Sequence, residues 1–109
     1  MKFLRPITFT IFTISSISFA QAFETKTGVI QSLQVFGENN FAFRIRLEGV
    51  SEMCSLGENW AYVESTDSNY QTKVSVLMSA FAMGAPITVY TEASSRNHCH
   101  LDSITNVTR

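Results

Sequence analysis

The sequence predicts a mainly β domain in which five strands close into a barrel and a single helix plugs one end. Residues 41–48 alternate between apolar and polar side chains, and residues 68–83 carry apolar side chains at helical spacing. Five strand-like segments in so short a chain cannot bury both faces of an open sheet, so a closed sheet is the stable arrangement. The alternative is an open α+β sheet with the helix on one face.

The first two predicted strands cover residues 26–36 and 41–48, and a turn rich in Gly, Glu and Asn joins them. In the first strand the apolar residues Val29 and Ile30 are adjacent, which breaks the alternation and predicts a bulge or sharp bend near Gly28. The second strand has one apolar and one polar face, which is typical of a half-buried antiparallel strand.

The third predicted strand, residues 60–64, is apolar on both faces. We expect it to be buried on one side and partly covered on the other. Residues 65–68 offer side chains that cap helices, and the predicted helix follows over residues 68–83. Gly84 is placed to end the helix in a left-handed conformation, and Pro86 cannot continue it.

The last two predicted strands cover residues 87–91 and 98–107. The chain order is therefore strand, strand, strand, helix, strand, strand. A helix between the third and fourth strands is the pattern of the OB-fold barrel. Leu101 and Ile104 are expected to face the core from the last strand. The other predicted core residues are Phe41, Phe43, Ile45, Leu47, Val74, Leu77, Phe81, Ile87 and Val89.

Residues 1–22 have the pattern of a cleavable signal peptide. Lys2 and Arg5 precede an uncharged stretch that ends in small residues. A membrane-spanning helix needs about 20 strongly apolar residues, and this stretch is shorter and diluted by Thr and Ser. We predict cleavage after Ala22, with Ala20 as the alternative. A single domain of residues 23–109 then enters the periplasm or the medium with no membrane span.

Cys54 and Cys99 are the two cysteines, and in an exported protein a lone pair predicts a disulfide bond. Closing a loop of about 45 residues stabilises a domain by about 4 kcal/mol in the chain-entropy model. His98 and His100 could hold zinc together with the cysteines. Neighbouring strand residues point to opposite faces, however, which places both histidines opposite Cys99. The sequence therefore predicts a disulfide, no metal site and no cofactor.

Charge and motifs argue against some classes of function. Removing Lys2 and Arg5 from the eight Lys and Arg residues leaves six, against nine Asp and Glu. The domain therefore lacks the basic surface that nucleic-acid-binding proteins show. The chain has no G-x-S-x-G, H-E-x-x-H or Gly-rich phosphate-loop motif. We expect a protein that is not an enzyme, and a hydrolase is the weakest hypothesis.

An OB-fold binds ligands mainly across strands 2 and 3 and on the loops that join strands 1–2 and 4–5. There an aromatic ring can cover the apolar face of a sugar while neighbouring amides bond its hydroxyls. The alternative is that Trp60 and Tyr62 pack in the core and that the arginines pair across strands with acidic residues. The expected ligand-binding residues are Asn39, Asn40, Arg44, Arg46, Trp60, Tyr62, Asn97 and His98.

The element order, the signal peptide and the cysteine ahead of the third strand resemble the secreted B subunits of bacterial A-B toxins, especially the subtilase-cytotoxin and pertussis-like group. Residues 69–91, a helix that ends in Gly and leads into a strand, share this resemblance. The spacing Cys54-x-x-Gly57-x-x-Trp60 is similar to a stretch in some small periplasmic proteins. The resemblance is architectural, so no binding residue is carried over. It implies a homopentamer whose barrels bind glycans.

Two hypotheses follow for the function. The first is a module that binds a glycan or a small surface ligand. The alternative is an assembly subunit that packs against copies of itself, or against an envelope partner, through its barrel edges or its helix. The apolar content of 45% and the residues Met78 and Met83 near the helix end motivate this alternative.

Overall fold

The computed structural model describes residues 23–37 and 43–108, together with Thr8, Thr10 and Ile11. The cleavage-site prediction at Ala20 and Ala22 lies outside these residues, and so do Asn39, Asn40 and Phe41. The elements are β1 (Glu24–Val35), β2 (Phe43–Leu47), β3 (Ala61–Val63), α1 (Tyr70–Met83), β4 (Pro86–Ala93) and β5 (Cys99–Val107). Their order is the predicted one.

The five strands form a closed ring in the order β1-β2-β3-β5-β4. The long strand β1 pairs with β4 through its first half and with β2 through its second half, both antiparallel. The ring closes where β3 and β5 run parallel and Tyr62 pairs with His100. The described residues are therefore mainly β with one helix, as predicted, and the open sheet that we considered as the alternative does not form.

The irregularity predicted in the first strand is confirmed. The register of β1 against β2 shifts between Ile30 and Ser32, where β1 leaves one neighbour and begins to pair with the other. Gly28 lies just before this shift, and a Cβ atom there would come 3.1 Å from the carbonyl oxygen of Glu48. The absence of a side chain at Gly28 therefore allows the close approach of the two backbones.

The core fills the inside of the ring. Of the predicted core residues, Phe43, Ile45, Leu47, Leu77, Ile87, Val89 and Leu101 are buried, and Val74 and Ile104 are partly buried against them. The prediction for Phe81 is wrong, because its side chain is 45% exposed. The helix packs through Leu77 and Ala80. Phe81 directly follows Ala80, so its side chain is turned by about 100° around the helix from that of Ala80.

The two ends of α1 differ in how well the sequence predicts them. Asn69 precedes the helix in a left-handed conformation, and no side chain caps the helix there, so the predicted cap at residues 65–68 is wrong. Asp67 instead accepts a hydrogen bond from the backbone N–H of Glu64. At the other end Gly84 adopts the predicted left-handed conformation, and the N–H of Ala85 donates to the Ala80 carbonyl.

Cys54 and Cys99 form the predicted disulfide, with Cα atoms 5.6 Å apart. The bond joins the connection between β2 and β3 to the first residue of β5, and both cysteines are buried. Met53 is also buried, and the Thr91 hydroxyl donates to its carbonyl. A disulfide is compatible with an extracellular or periplasmic location. Within the part of the chain that the structure describes, no helix has the length and apolar character to cross a membrane.

Candidate ligand-binding face

One row of paired residues runs around most of the outer face of the ring. Gln34 of β1 pairs with Arg44, Arg44 with Tyr62, and Tyr62 with His100, which pairs in turn with Glu92 of β4. Paired residues in adjacent strands point to the same face of a sheet. The register therefore brings predicted site residues of β2 and β3 onto one surface with β5.

Arg44 lies between two aromatic rings on this face. Its guanidinium carbon is 4.5 Å from the ring centre of Phe36 and 4.1 Å from that of Trp60. The ring centres of Trp60 and His98 are 4.9 Å apart. Phe36, Arg44, Trp60 and His98 form a continuous stack, which we call the aromatic row. Such cation–π contacts contribute about 0.5–1 kcal/mol each at exposed sites and hold the guanidinium plane in place.

The partly buried carboxylate of Glu58 fixes the position of His98 at the end of the aromatic row. Glu58 Oε1 is 2.6 Å from Nδ1 of His98, and Glu58 Oε2 accepts a 2.9 Å hydrogen bond from the backbone N–H of Cys99. The Glu58 backbone carbonyl also accepts from the N–H of Met53. The backbone N–H groups of Met53 and Cys99 therefore anchor Glu58, and Glu58 in turn orients His98 against Trp60.

The other predicted site residues lie nearby in different environments. Tyr62 is only 1% exposed, because the ring of His100 covers it at 5.2 Å between ring centres. This burial raises the pKa of Tyr62 above 10.0, and a hydrogen bond with Ser94 partly opposes the rise. Tyr62 thus packs beneath the surface, as in the alternative interpretation, whereas Trp60 is half-buried in the row.

Asn97 and Arg46 flank the aromatic row. Asn97 is exposed in the turn between β4 and β5, with a φ of 65° in the left-handed region. Arg46 pairs with Ser32 on the outer face of β1 and β2. Arg46 Nε and Ser32 Oγ are buried, and neither has a hydrogen-bond partner among the residues that the structure describes. These two atoms are polar groups that a ligand or water at the edge of the row could satisfy.

A second polar group, which the sequence analysis did not single out, lies beside the row around His100. His100 Nε2 is 2.7 Å from Asp67 Oδ2, and His100 Nδ1 is 3.1 Å from Glu92 Oε1. Lys73 Nζ is 3.6 Å from Asp67 Oδ2. Glu92 lies directly across the hairpin from His100. Counting the strand register back from the turn at residues 94–98 would have predicted this pairing. Asp67 reaches His100 through tertiary structure alone.

Two open clefts meet at His100. The smaller, of about 240 Å³, is lined by Tyr62, Glu64, Glu92, Ser94, Ser95, Arg96 and His100. The larger, of about 710 Å³, lies between the start of α1 and the outer edge of β5. Its walls carry hydroxyls and amides, and Val76, Ile104 and Val107 add apolar surface. The two clefts therefore share His100 and are lined by hydroxyl, amide and charged side chains.

Comparison with known proteins gives no family for the chain. No protein-family model matches it, and no curated protein or solved structure matches it either. The site is therefore described by its geometry alone, as contacts among Phe36, Arg44, Trp60 and His98 on a closed β ring.

Proposed function

We propose that this chain is an exported, non-catalytic binding module of the OB-fold class, which binds a glycan on the outer face of β2, β3 and β5. The observation that carries the proposal is the position of the Arg44 guanidinium between the rings of Phe36 and Trp60, with His98 closing the stack. A five-stranded ring with one helix between β3 and β4 supports the OB-fold assignment.

The location of the aromatic row supports ligand binding. OB-folds bind ligands across strands 2 and 3 and on the loops between strands 1–2 and 4–5. Phe36 directly follows β1, where the first of these loops begins, and His98 directly precedes β5, where the second ends. The row therefore runs from the residue after β1 to the residue before β5. Asn39 and Asn40 belong to the first loop, and we keep them in the proposed site with Asn97 of the second.

The chemistry of the row favours a sugar. Phe36 is 43% exposed, and the side chain of His98 is 35% exposed, so apolar ring surface is available to the C–H face of a pyranose. A guanidinium stacked between rings directs its N–H donors outward in one plane, where they can bond paired oxygens such as neighbouring hydroxyls or a carboxylate. A ligand with one apolar face and several oxygen atoms matches both features.

Export is part of the proposal. The charged start and uncharged stretch of residues 1–22 have the pattern of a signal peptide, and the Cys54–Cys99 disulfide suits an oxidising compartment. Surface glycans are accessible to a protein in the periplasm or the medium.

A glycan array tests the proposal, with the disulfide-bonded wild-type protein compared with an Arg44→Lys variant. Lysine keeps the positive charge but loses the planar donor group that stacks between the rings. We expect the wild type to bind a defined set of glycans and the variant to bind them at least about tenfold more weakly. Lys26→Gln, on β1 away from the row, is the control and should bind like the wild type. The proposal is wrong if the wild type binds no glycan or if Arg44→Lys binds as tightly.

A second candidate function, an envelope or secreted assembly subunit, is favoured by the exposed apolar side of α1. Met78 and Phe81 are one helical turn apart and are 54% and 45% exposed. A toxin-like B subunit or another homo-oligomer would cover them. Sedimentation equilibrium of the wild type and of a Met78→Glu, Phe81→Glu double variant tests this function. The assembly function predicts that the wild type is an oligomer and that the double variant is not. A control substitution at exposed Leu56 should leave the oligomer intact. A monomeric wild type contradicts the assembly function.

A further inference from the structure

Both ring nitrogens of His100 face carboxylates. Nε2 is 2.7 Å from Asp67 Oδ2, and Nδ1 is 3.1 Å from Glu92 Oε1. A neutral imidazole carries only one N–H, so it can donate to only one of the two carboxylates. The second contact then brings a nitrogen lone pair against a carboxylate oxygen, which is repulsive unless a positive charge lies between them. The arrangement calls for a bound proton or a cation at this position.

A third ligand group lies beside this contact. Tyr90 and Thr91 of β4 pair with Ser103 and Leu101 of β5, which leaves Asp102 as the extra residue of a bulge. A bulge redirects a side chain, and bulges are common beside functional sites. One ring nitrogen of His100 and one carboxylate oxygen each of Glu92 and Asp102 lie within 4.8 Å of one another. These three side chains come from adjacent positions on the outer face of two paired strands.

The spacing fits a small cation with short bonds. Zinc binds nitrogen and carboxylate oxygen at about 2.0–2.2 Å in a tetrahedral arrangement, which separates neighbouring ligand atoms by about 3.3 Å. The observed distance of 3.1 Å between His100 Nδ1 and Glu92 Oε1 is close to this separation. Asp102 supplies the third ligand atom, which lies within 4.8 Å of the other two.

Asp67 would hold the histidine in the correct orientation. A metal-binding histidine usually donates its other N–H to a carboxylate or carbonyl, which fixes the tautomer and the ring plane. The contact from His100 Nε2 to Asp67 Oδ2 has this form. Asp67 is itself held by the backbone N–H of Glu64 at 3.0 Å and by Lys73 at 3.6 Å.

The local charge and the access also suit a divalent cation. Asp67, Glu92 and Asp102 supply three carboxylates, with Lys73 as the compensating cation beside Asp67. Glu64 is paired with Arg96 at 2.6 Å. The side chain of His100 is 12% exposed and lines both clefts, so an ion can enter from solvent.

We propose that His100, Glu92 and Asp102 form a zinc site on the outer face of β4 and β5, with Asp67 as a positioning residue and a fourth position open to the cleft. Zinc is favoured over Ca²⁺ and Mg²⁺ because those ions take six or more oxygen ligands and avoid imidazole. The zinc site shares no residue with the aromatic row, so the tests of zinc binding and of glycan binding are independent of each other. This proposed zinc site replaces the expectation of no metal, which was based only on ligand sets that include the cysteines.

Isothermal titration of the metal-free, disulfide-bonded protein with Zn²⁺ tests the site. We expect one ion per chain and a rise in the melting temperature on addition of zinc. Asp102→Asn should weaken binding by at least about tenfold without changing the fold, because the amide is a poorer ligand of similar shape. His100→Gln should weaken it further. His98→Gln is the matched control, since it removes the other histidine of the sequence, just before β5, and should bind zinc like the wild type.

Other outcomes would overturn the site. The proposal is wrong if the wild type takes up no zinc. It is equally wrong if Asp102→Asn and His100→Gln bind as tightly as the wild type, or if only His98→Gln loses the ion. A Co²⁺ absorption spectrum reports on metal coordination and does not depend on a change in protein stability. The wild type should give the bands of a low-coordinate nitrogen–oxygen site, and Asp102→Asn should not.

Discussion

At the scale of single residues, alternation along strands predicts which side chains reach the outer face. Arg44, Trp60 and His98 were among the predicted ligand-binding residues, and they meet in the aromatic row. Phe36 was not expected in the site, because its place beside Arg44 depends on how β1 ends against β2. Asp67 could not be predicted either, since its contact with His100 joins residues 33 positions apart through the fold.

Tyr62 should make stability fall at high pH. Burial raises its pKa in the folded state above 10.0, so the unfolded chain loses the phenol proton first as the pH rises. The stabilisation is complete below the unfolded-state pKa and is lost as the pH climbs through the folded-state pKa. Denaturant titrations across this range should show a fall in the free energy of unfolding that Tyr62→Phe lacks. Equal pH profiles for the two proteins would contradict this prediction.

Gly28→Ala should destabilise the protein by about 1–3 kcal/mol, because its Cβ would come within 3.1 Å of the Glu48 carbonyl oxygen and the backbones would have to separate. Gly37→Ala is the matched control, since a Cβ there meets nothing within 4 Å. Urea denaturation measures both. If the two variants are equally stable, the close approach of β1 to the end of β2 is not a constraint on the fold.

At the scale of elements, the helical period located α1 to within two residues of its observed start, and Gly84 marked its end. The same period did not show which apolar side chains would be buried. A stripe of apolar residues is wider than the contact that one helix makes with a small ring. Packing selects Leu77 and Ala80 and leaves Met78 and Phe81 in solvent. The strands were easier to predict, since a period of two leaves only one alternative face.

Leu77→Ala and Phe81→Ala should therefore differ sharply in stability. Removing the fully buried Leu77 side chain should cost about 2–5 kcal/mol through lost burial and the cavity left behind. The same change at Phe81, which is 45% exposed, should cost less than about 1 kcal/mol. Thermal and chemical unfolding of the two variants provide the comparison. A large loss at Phe81 would mean that its ring is covered in solution, as an assembly would require.

At the scale of the whole molecule, the closed ring and the disulfide follow from the size of the chain. A domain this small has little core, and closure lets five short strands share one interior. The sequence predicted the partners of the disulfide because it holds only two cysteines. It did not predict that the backbone N–H of Cys99 would hold Glu58, and through it His98, because that contact depends on how the start of β5 lies beside the connection between β2 and β3.

Replacing both Cys54 and Cys99 with Ser should lower the free energy of unfolding by about 4 kcal/mol, since the bond closes a loop of 45 residues. The buried hydroxyls add a further cost. Ser55→Ala in the same connection is the control and should change stability by less than about 0.5 kcal/mol. A double variant as stable as the wild type would show that the ring holds the ends together without the bond.

The central claim is that ligand binds across the aromatic row, and an amide chemical-shift map of isotope-labelled protein tests it most directly. The protein is titrated with the glycan that binds best on the array. We expect the largest shifts at Phe36, Arg44, Trp60 and His98, with the outer face of β1 and β4 at Thr25 and Thr88 unchanged. Shifts confined to Thr25, Thr88 and their neighbours, with none in the aromatic row, would contradict the account.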